Sequence, residues 1–251
     1  MMPFNSGFKV YKKLRCFDII SSGNDTLDEL LCGGFHKDLI YLLYGDRDKT
    51  TEILLRTAVM VQRPLCDGGL GDGIKIAYID GNNGFKPYFV GKLAASNNLS
   101  PRKVLENILI ARAFTWDQMI EILETKLVKQ ELIKVVLISD ITRLFPAYEK
   151  SYFEDLLRAI HGIKQILEKS SPLIIITAPM NKYSLYKPKG GLILSHFGSV
   201  LVLVRDSDRY TEYHLIQHPY LPEKRILSWK AINKKGIRSM YAQSTGIDYW
   251  L

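Results

Sequence analysis

The spacing of apolar positions changes repeatedly along the chain. "DLIYLLYG" (38–45), "IKIAYID" (74–80), "ILIARA" (108–113), "IKVVLISD" (133–140) and "PLIIITAP" (172–179) are short, nearly continuous apolar runs. Such runs mark strands buried on both faces. Between them, apolar residues recur at helical spacing over 50–62, 87–95, 115–130 and 151–170, which predicts helices with one core-facing side. A shorter helix is expected over 100–107, with Ser100 at its N-cap and Pro101 at its first helical position. Strands alternating with helices predict an α/β fold with a mostly parallel central sheet flanked by helices. The tail reads differently. "SVLVLVRD", "TEYHLIQH" and "RILSWKAIN" are short strands joined by tight polar turns, so an antiparallel hairpin edge is expected there. No linker, repeat or low-complexity stretch interrupts the pattern. Residues 18–251 therefore read as one core domain, with 1–17 as a short N-terminal arm.

Composition narrows the classes. Of 251 residues, 47% are hydrophobic and 24% charged, as in an ordinary globular protein. No apolar run approaches the roughly 18 residues of a membrane span. The opening "MMPFNSGFKVYKKLRC" has no apolar core of a signal peptide. Cys16, Cys32 and Cys66 are an odd count without a CxxC pair. They suit reduced thiols in a cytoplasmic protein and argue against a disulfide frame or a zinc site. Net charge is +8, and residues 182–238 hold eleven Lys and Arg against four Asp and Glu. Lys9, Lys12, Lys13 and Arg15 add to the excess without an acid among the first fifteen residues. A basic C-terminal third suits a polyanion partner, and equally a solvated face.

One stretch carries recognisable chemistry. In "LLYGDRDKTTE" a strand runs into Gly45, and Lys49, Thr50 and Thr51 open a helix. A phosphate loop places five residues between its first glycine and its lysine; here there are three, Asp46, Arg47 and Asp48. Gly45, Lys49 and Thr50 keep the right chemistry for ATP and magnesium, Lys49 for phosphate charge and Thr50 for the metal. The shortened cradle and its two carboxylates oppose phosphate binding. Asp140 ends a buried strand, where an aspartate can hold magnesium through water.

Several blocks in order resemble the RadA-like recombinases of the RecA class. They are "SSGNDTLDELLCGGFHKDLIYLLYGDRDKTTE", "GIKIAYIDGNNGFKP", "NILIARAFTWDQM", "IKVVLISDITRLF", "GGLILSHFGSVLVLVR" and "QHPYLPEKRILSWKAINKKGI". The resemblance spans roughly residues 18–238 and implies a RecA-like P-loop NTPase fold. It also exposes departures. Where the family carries a threonine and a catalytic glutamate, this chain has Gly81 and Asn82; an amide cannot serve as general base. Where the family carries an Asn-Gln pair that senses the γ-phosphate, this chain has Ala178 and Pro179.

The same resemblance assigns other residues. His196 and Pro222 match positions that face a neighbouring subunit's nucleotide in RadA-like filaments. "MNKYSLYKPKG" matches the second DNA loop, with Lys182, Lys187 and Lys189 for phosphates and Tyr183 and Tyr186 as stacking faces. Arg143 and Lys150 fall where the first loop begins. "MMPFNSGFKVY" shows no Phe-x-x-Ala polymerisation motif. The expected function is that of a recombinase paralogue in homologous recombination and DNA repair. It would bind single-stranded DNA, a RadA-type recombinase or another paralogue, with little or no ATP hydrolysis. A slow DNA-stimulated ATPase using Asp80 as base, and a non-catalytic scaffold, are the alternatives.

Overall fold

The computed structural model describes residues 19–130, 132–145, 151–181, 184 and 186–230. Cys16, the basic residues of the first fifteen, Lys150, Lys182 and Tyr183 lie outside them, as do residues 231–251 and the proposed arm.

Eight strands form one sheet, in the order β10-β9-β8-β3-β7-β6-β4-β5. They are β3 (Ile40–Gly45), β4 (Lys75–Asp80), β5 (Ile108–Arg112), β6 (Ile133–Ser139), β7 (Leu173–Pro179), β8 (Val200–Asp206), β9 (Tyr210–Gln217) and β10 (Lys224–Trp229). β8, β3, β7, β6, β4 and β5 run parallel. β9 and β10 fold back antiparallel on β8, as the change of pattern predicts. A two-stranded ribbon of β1 (Ile19–Ile20) and β2 (Phe35–His36) sits apart from the main sheet.

Adjacent residues of the central strand serve opposite faces. Tyr41 and Leu43 join one core cluster and Leu42 and Tyr44 the other, each of them fully buried. That is why β3 reads as an unbroken apolar run. On one face the core includes Ile53, Leu54 and Ala58 of α2 (Arg47–Met60), with Val90 and Ala94 of α3 (Pro87–Ser96). On the other it includes Leu156, Ile160 and Ile163 of α6 (Ser151–Ser170). Each such side chain contributes about 1.5–3 kcal/mol when fully buried.

The remaining helices are short. α1 (Asp25–Leu30) is capped by Asn24, whose side chain accepts from the Leu27 amide at 2.9 Å. α4 (Pro101–Glu106) begins with Pro101 after Ser100, as its sequence announces. α5 (Trp116–Glu121) ends sooner than the spacing over 115–130 predicts, widening into a π-turn at Ile122–Lys126. The Leu127 amide there reaches back to the Ile122 carbonyl at 2.8 Å. Gly162 of α6 packs against this turn so closely that a Cβ would stand 2.3 Å from the Leu123 carbonyl oxygen. α7 (Gly191–Phe197) leads into β8.

The carboxyl end of β3 is fixed by its neighbour. The amide of Asp46 donates to the Val204 carbonyl of β8 at 2.8 Å. Gly45 has φ +125°, and a Cβ there would meet that oxygen at 2.0 Å. Gly45→Ala is expected to cost about 3 kcal/mol through strain and displacement of the loop. The check is urea unfolding, with a lower midpoint at unchanged slope.

Candidate functional site at the carboxyl end of the sheet

The turn from β3 into α2 is closed by its own side chains. Asp46 stays extended, with φ −66° and ψ 123°, and its carboxylate accepts from the Lys49 amide at 3.0 Å. The Thr50 amide donates to the Asp46 carbonyl at 3.0 Å. A helix N-terminus attracts phosphate because its first amides lack partners and its dipole is positive there. Here a carboxylate of the chain already meets the first turn.

The polar side chains of the loop also go elsewhere. The Thr50 hydroxyl donates back to the carbonyls of Asp46 at 2.8 Å and Arg47 at 3.1 Å, and the residue is buried. It is Thr51 whose hydroxyl accepts from the Asn82 side-chain amide, at 2.9 Å. The same amide donates to Asp140 Oδ2 at 3.2 Å. Thr51, Asn82 and Asp140 thus form the junction that spacing alone assigns to Thr50 and Asp140. Lys49 lines a cavity between α2 and the β9–β10 hairpin. Burial opposes it, but hydrogen bonds from Lys230 and Thr211, with the charge of Lys49, hold Asp206 below the ordinary carboxylate range.

Asp140 lies just past β6 with φ +50°. Its amide donates to the Thr177 hydroxyl at 2.8 Å. Its Oδ1, like Asn82 Oδ1, is a buried acceptor with no partner among the described residues. Burial pushes the Asp140 carboxyl above its ordinary value; Asn82, Arg143 and Arg47 pull it down and Asp80 adds to the rise. Asp80 is fully buried and accepts from the amides of Asn82 at 3.4 Å, Gly84 at 3.0 Å and Phe85 at 3.2 Å. Arg112 stands 3.6 Å from it. Its lone pairs therefore hold a turn together.

These residues divide into two halves with respect to magnesium and ATP. Thr51 and Asp140, with one uncommitted carboxylate oxygen, keep a donor set suited to a hard cation. The phosphate half does not fit. The first turn is capped by Asp46, Lys49 faces the hairpin, and Asn82 carries an amide where a base would stand. As arranged, the loop does not suit a magnesium triphosphate.

The segment matching the second DNA loop leaves the sheet beside this site. Met180 bridges Pro188, the Asn181 amide donates to the Lys187 carbonyl at 2.8 Å, and Tyr44 donates to the Tyr186 carbonyl at 2.7 Å. Burial pushes the Tyr44 phenol up to about 12 despite Arg205, so it stays a donor at neutral pH. The Arg205 guanidinium lies 4.9 Å from the Tyr186 ring centroid. Tyr186 is half exposed, and Lys187 and Arg143 are exposed. Lys189 differs: its ammonium donates to the carbonyls of Arg143 at 3.1 Å and Phe145 at 2.7 Å. It ties the two loop segments together.

His196 and Pro222 lie at the other end of the sheet, where β8 begins. His196 is exposed on α7, and Pro222 is exposed in the turn between β9 and β10. The Gln217 side chain reaches the Gly198 carbonyl at 3.5 Å. That turn is organised by His218, whose Nδ1 accepts from the amides of Tyr220 and Leu221, both at 3.1 Å. Burial and His36 lower His218 to about 4, which keeps that nitrogen an acceptor.

Three contacts escaped the sequence reading. Thr51 had a signal, being the second of two adjacent threonines. Asp46 fits an N-cap pattern that the expectation of a phosphate loop obscured. Arg205 had none, because its contact with Tyr186 joins positions far apart in the chain.

Comparison with known proteins agrees with this fold. The Rad51 family matches residues 15–153. DNA repair and recombination protein RadA of Cenarchaeum symbiosum is 35% identical over 145 residues, covering 57% of this chain and 36% of that protein. The RadA of Metallosphaera sedula is 28% identical, covering 94% of this chain and 76% of its own length. The RadA of Ignicoccus hospitalis is 27% identical, with coverages of 87% and 72%. The chain thus spans about a third of the first of these relatives and about three quarters of the other two. Among the described residues no helix is long and apolar enough to cross a membrane.

Because burial raises the Asp140 carboxyl, its ionisation opposes folding. Below the unfolded-state pKa of about 3.9 the group is neutral in both states and has no effect. As pH rises, the unfolded chain ionises more readily and wild type loses stability relative to a variant without the group. Asp140→Asn is therefore expected to gain on wild type between about pH 4 and pH 7. The difference in urea unfolding free energy, taken at several pH values, measures this; a flat or opposite trend contradicts it.

Proposed function

The chain belongs to the Rad51 family, and from that premise we propose that it acts as an accessory paralogue in homologous recombination and DNA repair. It binds single-stranded DNA and a RadA-type recombinase, and it turns over little or no ATP. The observation that carries this reading is the Asp46 carboxylate on the first turn of α2. A catalytic member needs that turn for phosphate.

Two surfaces support the binding roles. The first is the segment around Tyr186 and Lys187, with Lys182, Tyr183 and Arg143 nearby in sequence or space. Cations and aromatic faces in alternation suit a flexible polyanion whose bases can stack. In this reading Lys189 positions the loop. The second is the β5 edge of the sheet. No strand among the described residues pairs its outer side, and Leu109, Ile110 and Phe114 are 40%, 44% and 67% exposed there. An unpaired edge carrying apolar side chains invites a strand from another chain. In the same reading His196 and Pro222, both exposed at the amino end of β8, face a neighbouring subunit's nucleotide. One chain could then adjoin recombinase subunits without hydrolysis of its own.

Binding of a labelled oligothymidylate, followed by anisotropy across salt concentrations, tests the DNA role. Log affinity should fall linearly with log salt. Lys182→Ala with Lys187→Ala should reduce that slope by about 1.4, at roughly 0.7 for each lost phosphate contact on a single strand. Tyr186→Ala should weaken binding at all salts by about 1–3 kcal/mol, as for loss of a stacked base. Failure to bind even at low salt, or an unchanged slope in the double variant, overturns the DNA role and leaves a protein-only scaffold.

A further inference from the structure

Strands β3 and β8 lie side by side, with Tyr44 level with Leu203. Leu42, Tyr44, Leu201 and Leu203 all join one core cluster. Side chains two apart on a strand share a face, so Arg205 continues that face one step past the apolar core. Glu212 stands opposite Arg205 in the β8–β9 register, 3.8 Å from it, with 14% of its side chain exposed. Arg225 of β10 reaches the same carboxylate at 4.0 Å.

Tyr44 and Arg205 hold Tyr186 at two points. The Tyr186 carbonyl accepts from the hydroxyl of buried Tyr44 at 2.7 Å. Its ring lies under the Arg205 guanidinium, 4.9 Å from centroid to carbon, an attractive contact between a cation and an aromatic face. Arg205 covers one side of the ring, and Tyr186 is still 50% exposed. The Glu212 carboxylate fixes the guanidinium and offsets its charge. Both holding residues belong to strands, so the hold does not pass through the capped turn from β3 into α2.

We infer that Arg205 is a positioning residue for single-stranded DNA: it pins the Tyr186 ring from one side so that the open face stacks on one base. The inference rests on the DNA role proposed above and adds to it the part played by β8 and the hairpin. A side chain ordered before binding avoids the entropic cost that a free one meets on association. Glu212 acts one step further back, by holding the guanidinium. Arg205 therefore contributes to stacking and not to phosphate neutralisation, which separates it from Lys182 and Lys187.

Anisotropy titrations of labelled oligothymidylate across salt concentrations test this, with the full chain, Arg205→Leu, Arg205→Lys, Tyr186→Ala and the Arg205→Leu, Tyr186→Ala double variant. Arg205→Leu should weaken binding by roughly 3- to 10-fold at every salt concentration. The slope of log affinity against log salt should stay unchanged, whereas a lost phosphate contact lowers it by about 0.7. Arg205→Lys keeps a cation at the ring and should restore most of the affinity. In the Tyr186→Ala background Arg205→Leu should have no further effect, because its role passes through that ring. Circular dichroism confirms that each variant folds. Additive losses in the double variant overturn the inference and leave the DNA role standing. So do a reduced slope, tighter binding by Arg205→Leu, or no rescue by Arg205→Lys. No binding by wild type at low salt overturns the DNA role and the inference together.

Discussion

The Asp46 carboxylate, 3.0 Å from the Lys49 amide, governs what the carboxyl end of this sheet can hold. A first helical turn offers a small number of amides and about half a positive charge. A side chain fixed on that turn competes with any phosphate at an effective concentration that no free ligand approaches. The cap also stabilises the helix, typically by about 1 kcal/mol. The same contact that stabilises the helix therefore occupies an amide of its first turn.

The rest of the site follows from that closure. With the loop two residues shorter than the usual phosphate cradle, Thr50 turns its hydroxyl to the backbone and Thr51 takes the place beside Asp140. Asn82 then donates to both, binding α2 to β6 through a neutral amide. Lys49, freed from the loop, faces the hairpin. Among the described residues after β7, Tyr186 is held by Tyr44, and Lys189 is held by Thr142 and by the Phe145 carbonyl.

Much of the fold was legible in the sequence because both-face burial leaves a plain mark. β3, β4, β6 and β7 are apolar runs that fall where they read. The antiparallel tail was legible from its alternation and polar turns. The break after Glu121 was not, since it depends on Gly162 approaching a backbone carbonyl from another helix. Short α1 and α7 were missed for want of enough turns to show a period. At the site, Lys49, Asp140 and the substitution at Asn82 were visible as residue types in order. Which threonine meets Asp140 was not, because a deletion within a loop leaves the later register ambiguous until the helix start is known. Lys189 read as a free cation; only the three-dimensional path of residues 143–145 reveals the carbonyls that hold it.

The most direct test of the closed loop is magnesium-dependent phosphate release from ATP, with single-stranded DNA present. Wild type is compared with Asp140→Asn and with a protein-free blank. A closed loop gives no release above the blank in either protein, with or without magnesium. Release by wild type that requires magnesium and disappears in Asp140→Asn would contradict it: Asp46 would then yield its place to phosphate, and the chain would be an enzyme.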